Sequence, residues 1–314
     1  MGEIERLLPG TKVSEWAATA IAANPGFSDP SSGYYGGGHD GSNLSRVDKF
    51  AFADDSKSTL STGLSRACYN MGAMASTVAG YFAGGQGGTD VVDKFAFSDD
   101  SRTTLSATLS DANNVELAGM ASSTAGYLGG GSGNGGYLSH VDKFAFSNDG
   151  RTTLGTGLSA ARRGLGGFES STAGYMAGGY DGSNNYHTTV DKFAFSNDAR
   201  STLGTGLSSA RSWLAGMNSD DAGYIAAGST SAAKQSTVDK FAFSNDARST
   251  LGTGLSTIRN WLGAMDSAAA GYVAGGFDIT DDVDKFAFAD DSRTVLSASL
   301  TTATGHLEGM SPTR

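Results

Sequence analysis

The side chains best suited to bind a ligand are Trp, Tyr, Arg and His residues in the segments between strand-like stretches. Trp, Tyr and Arg are enriched in binding hot spots, and function often lies on variable loops held by a rigid scaffold. The candidates are His39, Asp40, Tyr69, Tyr137, Arg162, Arg163, Tyr180, Tyr186, His187, Arg211, Trp213, Arg259, Trp261 and His306. This set predicts a surface for a polar ligand such as a glycan, or for a protein loop.

No catalytic or cofactor motif accompanies these residues. The sequence has no Gly-x-Ser-x-Gly elbow, no His-Glu-x-x-His pair and no phosphate-binding loop. Its four histidines lack the spacing of metal ligands, and its single cysteine, Cys68, excludes an intrachain disulfide and a cysteine-rich zinc site. We therefore expect a protein that is not an enzyme and that uses neither a metal nor a cofactor.

Composition limits the partners. The 314 residues carry a net charge of −10, whereas nucleic-acid binding needs clustered Lys and Arg. Residues 1–24 lack the apolar region of a signal peptide, and no stretch is apolar for long enough to cross a membrane. We expect a soluble protein without nucleic-acid or membrane partners, either cytoplasmic or exported within a larger object.

An internal repeat predicts the scaffold. The hexapeptide Val-Asp-Lys-Phe-Ala-Phe begins at Val47, Val92, Val141, Val190, Val238 and Val283. Three further markers recur with it: a Gly-Tyr run, a Thr-Leu or Val-Leu pair, and a Leu-x-Gly-Met segment or a close variant. Each marker is typical of a short strand, and four strands repeated six times match the blades of a propeller. We designate these strands a (Leu-x-Gly-Met), b (Gly-Tyr), c (Val-Asp-Lys) and d (Thr-Leu).

Strand alternation predicts two faces of different character. The b–c and d–a loops, which contain the candidate residues, should share one face, and the a–b and c–d turns the other. The c–d turns carry Asp55, Asp100, Asp149, Asp198, Asp246 and Asp291 at one repeated position. We expect these aspartates to form Asx-type turns; a ring of calcium sites is the alternative. On the loop face, a structural role for the arginines and gap filling by Trp213 and Trp261 also remain open.

The repeat resembles the kelch repeat. A kelch unit has about 50 residues and a Gly-Gly pair after its second strand, here Gly37-Gly38, Gly84-Gly85, Gly130-Gly131, Gly178-Gly179 and Gly275-Gly276, with Ala227-Gly228 as a variant. An aromatic third strand follows, as at Phe50 and Phe95. Leu replaces the family's fourth-strand Trp. The resemblance implies an all-β, six-bladed propeller of four-stranded antiparallel blades. Enzymes on this scaffold include copper-radical oxidases, whose Cys–Tyr crosslink does not suit adjacent Cys68 and Tyr69, and sugar isomerases.

The Val-Asp-Lys-Phe-Ala-Phe repeat is similar to kelch-like propellers that bacteriophages, including those of cyanobacteria, carry in their virions. That resemblance implies a virion structural or appendage protein that attaches to host-surface glycan or protein, or decorates the particle. A soluble lectin or interaction adaptor is the alternative, and a sugar-modifying enzyme is the third.

The two ends of the chain have different expected roles. Residues 1–24 match no marker and are expected to cap the ring or to attach it to other virion proteins, whereas residues 25–314 form the propeller. The chain enters at strand b of the first blade and ends after Leu307–Met310, an a-type strand. This last strand is predicted to complete the first blade, so that no sheet edge stays open.

Overall fold

A computed structural model describes residues 31–87, 90–112, 114–183, 185–277 and 280–313, and the extension predicted for residues 1–24 lies outside these ranges. The described chain is entirely β-structure, and no helix in it is long and apolar enough to cross a membrane. Six four-stranded antiparallel sheets form a six-bladed propeller, which confirms the predicted fold class.

The strands follow one another in the order a, b, c, d within each blade. Blades 1 and 2 contain β1 (Ser32–Gly36), β2 (Val47–Ala51), β3 (Lys57–Thr59), β4 (Gly72–Ala75), β5 (Ala79–Ala83), β6 (Val92–Ala96) and β7 (Arg102–Thr104). Blade 3 contains β8 (Ala118–Ala121), β9 (Ala125–Gly129), β12 (Val141–Ala145) and β13 (Gly150–Thr153), with the small hairpin β10 (Ser132–Gly133) and β11 (Gly136–Tyr137) in its b–c loop.

The other three blades repeat this plan. They contain β14 (Gly166–Glu169), β15 (Ala173–Ala177), β16 (Val190–Ala194), β17 (Arg200–Thr202), β18 (Ala215–Asn218), β19 (Ala222–Ala226), β20 (Val238–Ala242), β21 (Arg248–Thr250), β22 (Gly263–Asp266), β23 (Ala270–Ala274), β24 (Val283–Ala287) and β25 (Arg293–Val295). The final strand, β26 (Glu308–Met310), pairs antiparallel with β1, so that Tyr35 lies opposite Gly309. The C-terminal strand therefore completes blade 1, as predicted.

The core consists of six apolar layers, each between two neighbouring blades. Tyr34 and Val47 of blade 1 pack with Phe82 and Phe95 of blade 2, for example. The last layer joins blade 6 to blade 1 through Tyr272 and Phe50, among others, and so closes the ring. Each buried Phe contributes about 1.5–3 kcal/mol through removal of apolar surface from water, and every joint between blades has such side chains.

The strands nearest the axis are β26, β4, β8, β14, β18 and β22, and each contacts the next around the ring. Small residues make this approach possible. A Cβ on Gly119 would clash with the carbonyl oxygen of Ala73, and one on Gly216 would clash with that of Gly167. The glycine of the Leu-x-Gly-Met marker is therefore explained by the close packing of neighbouring inner strands.

Candidate functional site

The loop face is closed at the propeller axis by a ring of six equivalent residues, which we call the mouth ring. Each member lies two residues before the first residue of the inner strand of its blade and has a left-handed backbone, with φ between 53° and 65°. The members are Asn70, Glu116, Gly164, Trp213, Trp261 and His306. Inner strands converge on the axis, so these six positions meet at one end of the central channel.

Backbone hydrogen bonds join the mouth ring into a closed circle. The N–H of each member donates to the carbonyl oxygen of the member in the preceding blade, over 2.6–3.2 Å. The circle closes where the N–H of Asn70 donates to the carbonyl of His306, across the junction of blades 1 and 2. Six donors and six acceptors are thereby satisfied without any side chain, and the channel is closed at this face.

Nine rings in contact extend outward from the mouth ring, and we call them the aromatic arc. They are His39, Tyr69, Tyr137, Tyr180, Tyr186, Trp213, Trp261, Phe277 and His306. Trp213 and Trp261 form the centre, with ring centroids 4.4 Å apart, and His306 lies 4.6 Å from Trp261. Most of these rings are half-buried, and Phe277 is 49% exposed. The arc therefore presents ring surface to solvent around the mouth.

Polar side chains lie among the rings. Glu116 accepts a 2.9 Å hydrogen bond from Trp213 Nε1, and Arg163 Nε lies 3.4 Å from the same carboxylate. The Arg163 guanidinium also stacks over Tyr137, at 5.1 Å from the ring centroid. On the other side, His306 Nδ1 lies 2.7 Å from Asn70 Oδ1. The arc thus combines flat apolar surfaces with a fixed carboxylate, guanidinium and amide.

Burial changes the protonation of two mouth-ring side chains. Desolvation raises the pKa of Glu116. The Arg163 guanidinium and the indole N–H groups of Trp213 and Trp261 oppose this shift. Trp261 Nε1 acts from nearby without hydrogen-bonding geometry to the carboxylate. The pKa of His306 is lowered to about 4 by burial and by the nearby His39. His306 is therefore neutral at neutral pH and serves as a polar ring rather than a cation.

Three predicted ligand-binding residues are instead buried: Arg162, Arg211 and Arg259 are 0–2% exposed. Arg211 donates to the carbonyl of Ala227 and to the Asp239 carboxylate, and the other two make the same pair of contacts in their own blades. These arginines cannot reach a ligand, and the prediction that they bind one is wrong. Their role is the structural one considered above, because their hydrogen bonds connect the d–a loop to strand c.

The other predicted residues lie in loops that reach solvent. Eight of them belong to the aromatic arc, and Arg163 stacks on it. Asp40 and His187 lie beside the arc; Asp40 accepts a bond from Thr302, and His187 lies 3.1 Å from Asp181. The structure therefore brings most of the set to one face.

Sequence reasoning missed Phe277, Glu116 and Asn70. The signal for the last two was the repeated position two residues before each inner strand, which reads Asn, Glu, Gly, Trp, Trp and His around the ring. Those six types have no chemistry in common, because the backbone alone forms the circle. Phe277 follows the Gly-Gly pair of blade 6 and occupies the b–c loop, as the predicted His39 does in blade 1.

On the opposite face, six equivalent groups of hydrogen bonds, which we call the aspartate clamps, join neighbouring blades. In each, the c–d turn aspartate accepts hydrogen bonds from a Tyr hydroxyl and a Lys ammonium of the preceding blade, with Lys–Asp distances of 2.7–2.9 Å. Tyr272 and Lys285 bind Asp55 in this way and join blade 6 to blade 1. The Asx turn that we predicted for these aspartates is made by the preceding residue, for example by Asp54, which accepts from the Ser56 N–H.

The described residues contain no group of three or more His, Cys, Asp or Glu side chains that could hold a metal ion. Cys68 occupies, in blade 2, the position that the buried arginines take in blades 4 to 6, and it is itself buried. Desolvation raises the pKa of its thiol to about 11, so the nucleophilic thiolate is disfavoured.

The fold and the arc define a six-bladed propeller with a ligand-type surface at one mouth. Comparison with known proteins adds nothing more specific, since the sequence matches no protein-family model and no curated protein.

Proposed function

We propose that the chain is a non-enzymatic carbohydrate-binding propeller that uses the aromatic arc as its binding surface. The observation that carries the proposal is the continuous contact of nine half-exposed rings around the mouth ring. A sugar ring has a face of C–H groups that packs on an aromatic ring, while its hydroxyls need hydrogen-bond partners at the ring edges. Arg163 and Glu116 lie within the arc and supply such partners.

The mouth ring favours a sugar over an extended peptide. Peptides commonly bind by adding a strand to free backbone groups at a sheet edge. At this mouth, the backbone N–H and C=O groups of the six members are paired with one another. Recognition therefore has to rely on side chains, and large rigid aromatic surfaces with few polar groups suit a saccharide.

The biological setting that we propose is a virion appendage that attaches to host-surface glycans. Its support is the similarity of the repeat to kelch-like propellers of bacteriophage virions, together with a binding-type surface confined to one face. In this setting, residues 1–24 attach the propeller to other virion proteins. Mass spectrometry of purified particles should find the protein in fixed proportion to the capsid protein; its absence from particles would exclude the virion role and leave a lectin.

Glycan-array binding by wild type, Tyr186→Ala and Phe277→Ala tests the carbohydrate proposal. Both side chains are on the arc and outside the mouth ring, so removal of either should leave the fold intact. Loss of one stacking surface should weaken binding about tenfold, equivalent to ~1.4 kcal/mol.

Val78→Ser is the matched control, because Val78 is 69% exposed and lies in an a–b turn on the opposite face. Equal binding by wild type and both arc variants would refute the proposed surface. Absence of any glycan ligand, with retention of a protein ligand on the same arc, would replace the lectin with an adaptor.

A further inference from the structure

A second cavity occupies the central channel on the side away from the aromatic arc. It has a volume of about 440 Å³ and is lined by the inner strands and by serines of the a–b turns, such as Ser122 and Ser170. The cavity therefore opens on the face of the aspartate clamps, and the mouth ring separates it from the arc. Its volume is in the range of small-molecule pockets, about 300–1,000 Å³.

The walls of this cavity combine strand backbone with hydroxyl, amide and carboxylate side chains. Each inner strand is the edge of its sheet, so part of its backbone faces the channel without a partner strand. Near the open end, side chains satisfy backbone N–H groups: Asn218 accepts from Glu169, Asp266 from Asn218, and Ser311 from Asp266. These three backbone N–H groups are therefore paired within the protein.

All charged side chains of the described lining are acidic, and one of them is exceptional. Glu308 is the first residue of β26, at a position where the other inner strands have Gly72, Ala118, Gly166, Ala215 and Gly263. Glu308 lies deep in the channel but is partly exposed, because it lines both the cavity and the small space beneath the mouth ring. The backbone N–H of Gly309 donates to it, but no described cation pairs with it.

We propose that the channel cavity binds a small organic ammonium compound, whose charged group is held by the Glu308 carboxylate. A carboxylate deep in a channel whose described lining has no basic side chain carries an uncompensated charge, and a cationic ligand would neutralise it. The described residues offer no set of three metal ligands, and the volume exceeds that of a bare ion. An alkyl or sugar amine satisfies both the charge of Glu308 and the size of the cavity.

Binding should be coupled to a proton. Desolvation raises the pKa of Glu308 above that of an exposed glutamate, so uptake of a proton by this carboxyl competes with binding of an ammonium group. Affinity for the amine should then increase with pH until the amine itself loses its charge, near pH 10. The other titratable side chains of the two spaces that Glu308 lines are Glu116 and His306 on the mouth side, and Glu169, Asp220 and Asp266 on the open side.

Titration calorimetry with n-butylammonium at pH 6, 7 and 8 tests the site, with butan-1-ol as a neutral probe of the same shape. We expect saturable binding of the amine, tighter at higher pH and accompanied by proton release, and at least about tenfold weaker binding of the alcohol. Glu308→Gln should weaken binding of the amine by at least about tenfold. Glu308→Gly, the residue of three other blades, should do the same.

Asp290→Asn is the control, because Asp290 is exposed on an outer turn and other blades have Asn at its position, as at Asn148. It should bind the amine like wild type. The proposal is overturned if butylammonium does not bind, if the alcohol binds equally, or if both Glu308 variants retain wild-type affinity. The arc variants described above leave this cavity intact, so the two sites can fail independently.

Discussion

The indole N–H of Trp213 donates a 2.9 Å hydrogen bond to the Glu116 carboxylate, although the two residues belong to blades that are not neighbours. The bond passes over Gly164, the mouth-ring member between them. A Cβ on Gly164 would lie 2.8 Å from Cδ1 of Trp213, so the absence of a side chain is what allows the indole to reach Glu116.

Gly164→Ala should therefore displace Trp213. Other mouth-ring members are not glycine and tolerate a positive φ, so steric contact rather than backbone strain should dominate the cost, at about 1–3 kcal/mol. Tryptophan fluorescence and chemical denaturation would measure the two effects. Gly204→Ala is the control, because a Cβ there has nothing within 4 Å. An unchanged emission spectrum in Gly164→Ala would contradict the packing described.

Ring closure can be measured through the clamps. Asp55→Asn removes the charge that binds Lys285 at the junction of blades 6 and 1, and Asp149→Asn removes the charge that binds Lys94 within the ring. Asparagine also tolerates the positive φ of these turns. Each variant should lower the free energy of unfolding by about 1–2 kcal/mol in urea denaturation. If Asp55→Asn had no effect while Asp149→Asn did, blades 6 and 1 would not be joined in solution.

The two kinds of arginine should separate experimentally. Arg211→Ala removes the buried cation that pairs with Asp239 and leaves only the more distant Arg248, at 3.6 Å, so it should cost about 3 kcal/mol of stability. Arg163→Ala, from a half-buried arginine that stacks on the arc, should leave the melting temperature within a few degrees of wild type and weaken glycan binding. Thermal melting and array binding of both variants check this. A stable Arg211→Ala protein with reduced binding would restore the arginine as a ligand residue.

Acidification should lower the free energy of unfolding through protonation of His306 in the mouth ring. The pKa of His306 is lowered to about 4 from 6.5, so the unfolded chain takes up a proton at a higher pH than the folded protein. The stability that neutral His306 contributes is complete above about pH 6.5 and is lost as the pH falls towards 4. His306→Asn should flatten the dependence of the unfolding free energy on pH in this window. Equal slopes in wild type and His306→Asn would show that His306 titrates normally.

The repeat made the scaffold predictable. Six copies of the same hexapeptide fix the number of blades, and the position of Leu307–Met310 after the last copy indicates that the final strand returns to blade 1. These properties depend on local spacing and on apolar burial, both of which a sequence displays directly.

The individual roles of charged residues were harder to predict. Arg162 and Arg163 are adjacent, yet one is buried against Asp191 and the other stacks on Tyr137. Asp54 and Asp55 are also adjacent, yet one forms the turn and the other binds a lysine of the preceding blade. Direction and depth distinguish the members of each pair, and both depend on contacts between blades that the spacing of residues does not show.

The circle of backbone bonds at the mouth makes the six side chains there independent of the architecture that holds them. Each blade supplies one position with the same backbone conformation. Residues as small as Gly164 and as large as Trp261 occupy this position with the same backbone pairing. Substitutions at these six positions therefore alter the side-chain surface of the mouth one blade at a time, while the circle of backbone hydrogen bonds is kept.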